Sequence, residues 1–174
     1  MTIVDSELAA LFLASTRNRL FNEHWPRLKA CVELLTVDQI WWRPNEASNS
    51  VGNLMLHLNG NVTQWIITSF GRGEDKRDRP AEFSAAGGLS TAELVDRLGA
   101  TMNEAAKVID RLTADELLAP FEIQGYKTNG LDAVYHVVDH FGLHFGQIAY
   151  IAKNLTAKDL GFYKELNKTG RATK

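Results

Sequence analysis

With 174 residues, 45% of them hydrophobic and 23% charged, the chain has the composition of one soluble globular domain with a substantial core. Its net charge of −2 and pI of about 6.2 supply no basic field for a phosphate backbone, which argues against a nucleic-acid partner. The single cysteine, Cys31, cannot close an internal disulfide, and the apolar stretch Leu8 to Ala14 is too short for a bilayer, so a cytoplasmic protein without a membrane anchor is expected.

Leu8, Leu11, Phe12, Leu20, Leu28, Val32 and Leu35 recur at helical spacing and predict a first helix, capped by Asp5 or Ser6 and running to Leu35. Pro26 removes a backbone donor and should kink or split that helix after Trp25. Thr36-Val-Asp-Gln39 reads as a capping box for a short turn that Trp41-Trp42-Arg43-Pro44 ends. A second helix should start at Ser48 or Ser50 and reach about Phe70. The segment from Gly71 to Pro80 mixes charges of both signs with glycine and reads as an exposed, solvated loop. Ser90-Thr-Ala-Glu93 is a second capping box and opens a third helix through Leu94, Leu98, Met102, Ala105, Val108 and Leu112. Thr113-Ala-Asp-Glu116 repeats that chemistry before Pro120, which reads as closing a short turn. Asn129-Gly130 then leads into a fourth helix, Leu131 to Asn154. No strand pair is expected. Beyond it, Leu160-Gly-Phe-Tyr163 should pack as an aromatic patch, with the chain fraying after Asn167. Four helices with such loops predict an all-α four-helix bundle, one domain over residues 1–174.

Four of the five histidines fall in two of these helices: His57 in the second, and His136, His140 and His144 in the fourth. Residues four apart on a helix are neighbours, with Cβ atoms about 5–6 Å apart. Each such step turns about 40°, so His136 and His144 point roughly 80° apart, with His140 between them. One ion is reached by an adjacent pair, 136/140 or 140/144, and His57 from a facing helix completes three nitrogens with a coordination position left open. The duller alternative is a set of histidines satisfied by ordinary hydrogen bonds; three at regular intervals and a fourth on another helix favour the metal.

The His-Glu-x-x-His pattern is missing, since Val137 and Phe141 follow His136 and His140, so a base would have to be metal-bound water. Asp139 lies about 100° round the helix from His140 and reads as a solvated charge. Asn61 and Gln64, after His57, and Gln147, after His144, are spaced to satisfy the second nitrogen of an imidazole ligand. For Asn61 and Gln64 plain solvation is an equal alternative. Gly60, Gly142 and Gly146 cost about 1 kcal/mol each inside helices and suggest close helix approach, at the site or in ordinary packing. His24 reads as a surface or capping residue beside Trp25-Pro26, the tryptophans as core, and Cys31 as a buried small hydrophobe.

Over nearly its whole length the sequence resembles the DinB-like superfamily, which includes the YfiT-type proteins and thiol-dependent S-transferases. The resemblance is carried by Arg17-Asn-Arg-Leu20, Trp42-Arg43-Pro44, Ser50-Val-Gly-Asn-Leu-Met-Leu-His57-Leu-Asn-Gly-Asn61 and His140-Phe-Gly-Leu-His144-Phe-Gly-Gln147. It implies His57, His140 and His144 as the metal ligands, with His136 a neighbour. It also implies an up-down-down-up bundle, a homodimer, a divalent ion such as zinc or nickel, and in some relatives a low-molecular-weight thiol cosubstrate. Phe145 stands where relatives often carry arginine.

Three functions are then in competition. A metalloenzyme of the S-transferase or isomerase type would activate a small thiol toward an electrophilic small-molecule substrate. A metal-dependent hydrolase would activate water instead. A non-enzymatic, stress-related dimeric bundle would carry the metal for structure alone. Three imidazoles by themselves suit zinc, nickel, copper and iron.

Overall fold

The computed structural model describes residues 3–164; the segment expected to fray after Asn167 lies outside them. The first long unit comprises α1 (Ile3–Arg17), a π-helical stretch (Asn18–His24) and α2 (Trp25–Val32). After the short α3 (Val37–Trp41), the second unit joins α4 (Val51–Val62), another π-helical stretch (Thr63–Thr68) and α5 (Ser69–Gly71). Then follow α6 (Arg79–Ser84), α7 (Thr91–Arg111), α8 (Ala114–Leu118), the strands β1 (Pro120–Ile123) and β2 (Tyr126–Asn129), and α9 (Gly130–Thr156). The four long units form an all-α four-helix bundle.

Local chemistry sets most boundaries. Thr36 with Gln39, Ser50 with Asn53, Ser90 with Glu93 and Thr113 with Glu116 each form a full reciprocal capping box. Each cap contributes about 1 kcal/mol. The N-terminus departs from expectation, since α1 is already helical at Ile3 and is not capped into existence at Asp5 or Ser6. The helix is continuous through Pro26 and is not split after Trp25. Pro26 occupies the first turn of α2, and the backbone accommodates it upstream, where Trp25 N–H bonds the Leu20 carbonyl five residues back. The wider turn removes the clash between the pyrrolidine ring and the carbonyl one turn earlier.

The expectation of no strand pair is corrected by an antiparallel hairpin in which Pro120 faces Asn129 and Ile123 faces Tyr126. Gln124 and Gly125, both at positive φ (54° and 79°), make its two-residue turn. Pro120 begins a strand here and does not close a turn. Four-residue strands in which Ile123 is the buried member of β1 leave almost no periodic signal to read.

One apolar cluster runs through the bundle, including Leu28 and Val32 of α2, Leu58 of α4, Leu98 and Met102 of α7, and Val137, Phe141 and Ile148 of α9. Each large side chain buried there stabilises by about 1.5–3 kcal/mol. Cys31 is fully buried among them. No helix among the described residues is long and apolar enough to cross a membrane. The central member is α4, packed against α6, α7 and α9. Its polar residues Asn53, His57 and Asn61 are therefore buried and need polar partners from other elements or from the cap of the helix itself.

Candidate metal centre

The packing of α4 on α9 brings His57, His140 and His144 together, with one nitrogen from each lying within 4.8 Å of the others. His57 Nε2 is 2.8 Å from His140 Nε2. The ring centroids of His57 lie 4.9 Å from His140 and 5.0 Å from His144, and those of His140 and His144 are 4.4 Å apart. His57 is 4% exposed, whereas the two α9 rings are half-buried, so the cluster opens on the α9 side.

Each of two rings has its other nitrogen engaged. His57 Nδ1 is 2.9 Å from Glu82 Oε2, and His144 Nδ1 is 2.7 Å from Gln147 Oε1. Both pairings leave Nε2 for the cluster centre. Ligand bonds of about 2.0–2.1 Å place nitrogens on a tetrahedral ion about 3.3–3.4 Å apart, a spacing that lies between the 2.8 Å of the His57–His140 pair and the 4.8 Å that bounds the group. Among the described residues no aspartate, glutamate or cysteine joins the group, which fits an open site better than a closed structural one.

The protonation states suit ligation. Burial, reinforced by His144, His57, His136 and Arg77, pushes the His140 imidazole down to about 3. Burial also lowers His144 and His136 below the ordinary histidine value, Gln147 opposing the shift at His144 and Asp139 at His136. Neutral imidazoles offer lone pairs where imidazolium ions cannot. For Glu82, burial works against ionisation, but hydrogen bonds from Arg77 and His57 outweigh it and hold the carboxyl below its usual range.

His136 stands one turn away from the three. Its Nε2 is 3.1 Å from Asn61 Nδ2, and its ring stacks on Trp65 at 4.1 Å and on His140 at 5.1 Å. Asn61 thus meets His136 and not one of the clustered imidazoles. Gln64 bonds no imidazole either: its Oε1 accepts from Arg77 Nη1 at 2.9 Å, and its Nε2 donates to Asp75. Asn61 Oδ1 and Trp65 Nε1 are buried with no protein hydrogen-bond partner among the described residues. Gln147, exposed, also lines a groove of about 580 Å³ with Trp42, Leu54 and Tyr150.

Other expectations need correction. The charged segment from Gly71 to Pro80 is not uniformly solvated: the Arg77 side chain is 5% exposed and turns inward onto Glu82. Glu82 had no periodic signal, but Asp78 as cap with Pro80 in the first turn is a helix-start signature that marks α6. His24 is half-buried and not simply a surface residue: it packs near Phe141, Gly142 and Phe145, and its Nδ1 is buried without a protein partner among the described residues. Of the three glycines, Gly60 lies against Glu82 and Arg77, and Gly142 against the His24 ring, while Gly146 faces open space and marks no close approach. Asp139 is exposed, in keeping with a solvated charge.

No curated protein matches the chain. A crystal structure of a conserved protein from Enterococcus faecalis is similar in fold, with a TM-score of 0.67 over 91% of this chain and 99% of that one at 16% identity. A family profile described as a protein of unknown function, DUF1572, matches residues 7–165, nearly all of the bundle and every histidine of the cluster, and the chain therefore belongs to the DUF1572 family.

Proposed function

We propose that this protein is a DinB-like metalloprotein in which His57, His140 and His144 bind one divalent ion, zinc or nickel, and that it is an enzyme acting with a low-molecular-weight thiol, as an S-transferase or isomerase. The observation that carries the reading is the convergence of three imidazoles from two helices with no fourth protein ligand in the group among the described residues. An ion held there supplies an open coordination position that lowers the pKa of a bound thiol or water. Because all three ligands are uncharged and the nearby Glu82 is matched by Arg77, the positive charge of the ion stays available to an anionic group such as a thiolate.

The chain's own residues have separable tasks in this reading. Glu82 and Gln147 engage the outward nitrogens of His57 and His144. His136, held by Asn61 and Trp65, walls one side of the cluster. The groove beside Gln147 is of a size to hold the organic part of a small substrate. Cys31, fully buried in the core, is not the attacking thiol.

The test is elemental analysis of protein purified without an affinity tag, followed by turnover of an electrophile panel with and without a small thiol, before and after chelation. Dependence on both metal and thiol is the expected result. Dependence on metal alone would make the protein a hydrolase, and full activity after chelation would overturn both.

A further inference from the structure

We propose that Glu82, backed by Arg77, is a positioning residue that sets the tautomer and orientation of His57 and thereby the metal affinity of the three-histidine cluster. The proposal rests on the metal reading above and concerns residues 25 and 20 positions away from His57, on a different element.

The three side chains are withdrawn from water together: His57 is 4% exposed, Glu82 8%, and the Arg77 side chain 5%. A carboxylate buried that deeply is costly unless it is paired and fully hydrogen-bonded. Here it is both. Arg77 Nε donates to Oε1 at 2.7 Å and Nη2 donates to Oε2 at 2.8 Å, a fork on the carboxylate. The same Oε2 lies 2.9 Å from His57 Nδ1. An ionised carboxylate only accepts hydrogen bonds, so the pairing with Glu82 requires the proton on Nδ1, which in the neutral ring leaves the lone pair on Nε2. Arg77 Nη2, 3.0 Å from the same Nδ1, only donates and would bond the lone pair of the opposite tautomer. The proton is assigned to Nδ1 because Nη2 already has Glu82 Oε2 as its acceptor at 2.8 Å.

The fork is itself held from several directions. Arg77 Nη1 donates to Gln64 Oε1, and Gln64 in turn donates to Asp75. The Asn53 amide, buried at the start of α4, donates to the Glu82 carbonyl at 3.0 Å and the Ala85 carbonyl at 2.7 Å, fixing the backbone that carries the carboxylate. Gly60 lies against the carboxylate and the guanidinium, where a Cβ would overlap Oε1. All of this support converges on the nitrogen of His57 that faces away from the cluster. The partner of His144 is by contrast the neutral amide of the exposed Gln147. A hydrogen bond to a charged acceptor is roughly twice as strong as a neutral one and makes the ligand more basic.

Loss of such an outer partner typically weakens metal binding about 10–100-fold. Titration of the metal-free full chain with Co²⁺, in competition with a chelator, should show that loss for Glu82→Gln. Gly60→Ala, which removes no polar group but displaces the carboxylate, should weaken binding in the same direction. Long-range proton–nitrogen NMR of metal-free wild type should show His57 protonated at Nδ1, a readout that mere structural support would not fix. Wild-type Co²⁺ affinity in both variants, or His57 protonated mainly at Nε2, overturns the proposal; if Glu82→Gln fails to fold, Gly60→Ala and the wild-type tautomer still decide. A wild type that binds no Co²⁺ overturns the metal reading itself and with it the affinity role, a result distinct from equal affinities.

Discussion

Gly60 on α4 and Glu82 on α6 fit against each other so closely that a Cβ on the glycine would overlap Glu82 Oε1 and lie 2.8 Å from Arg77 Nε. Alanine would gain about 1 kcal/mol of helix propensity at this interior position. Overpacking a buried contact costs typically about 1–3 kcal/mol, and the neighbour here is a pinned ion pair that cannot swing aside freely. The clash therefore wins. Gly60→Ala should unfold at lower urea than wild type when both are metal-free; equal or greater stability would show that Glu82 yields without cost.

The ligand set makes a sharper prediction about histidines. Ala substitution of His57, His140 or His144, one at a time, should remove most of the bound divalent metal. His136→Ala should retain most of it, because that ring is bonded to Asn61 and stacked on Trp65. Elemental analysis of tag-free protein checks this, and full metal content in His140→Ala would overturn the assignment.

Asn53 closes the capping box of α4 and also holds the end of α6, with both tasks performed in a buried setting. Losing the cap contributes about 1 kcal/mol, and stranding buried carbonyls about 1–3 kcal/mol more. Asn53→Ala should thus cost roughly 2–4 kcal/mol in urea unfolding. A loss below about 0.5 kcal/mol, the range of ordinary surface changes, would mean that water satisfies those carbonyls instead.

His24 should make the fold acid-sensitive. Burial lowers its pKa below 6.5, with Arg19 and Arg27 acting in the same direction and Glu23 opposing. Below about pH 6.5 the unfolded chain takes up a proton that folded His24 resists, so more protons are bound in the unfolded state. The associated stability is complete above that pH and is lost as pH falls through the lowered folded value. Metal-free His24→Gln should accordingly lose less stability than wild type between about pH 7 and pH 5. Parallel pH profiles of the two proteins would refute this.

Cys31 should be inert. Burial pushes its thiol up to about 11, and the side chain is 0% exposed. Iodoacetamide near pH 8 should leave the native protein unmodified and label it fully in denaturant, because the thiolate is the reacting form. Rapid labelling of native protein, checked by mass spectrometry, would place Cys31 outside the core.

By itself the sequence determined the four long helices, most of their starts, and the adjacency of His136, His140 and His144 along one of them. These are local properties: capping boxes at Thr36, Ser90 and Thr113 involve residues three apart, and an i, i+4 histidine pair is adjacent on any helix. The burial of Cys31 was legible for the same reason, through its spacing from Leu28 and Leu35 on one apolar face. Spacing alone left two histidine pairs equally able to meet His57, and resemblance had to favour one. Tertiary packing of α4 against α9 decided it, bringing His140 and His144 to His57 while His136 turned to Asn61. Only the tertiary structure revealed the pair of Glu82, which carries no periodic signal, and Arg77, which falls in a charged segment that reads as solvated. No helical or strand period links an acid to an imidazole 25 residues earlier. Their pairing arises because α6 folds back over α4, where buried charges must find one another or pay the full cost of leaving water.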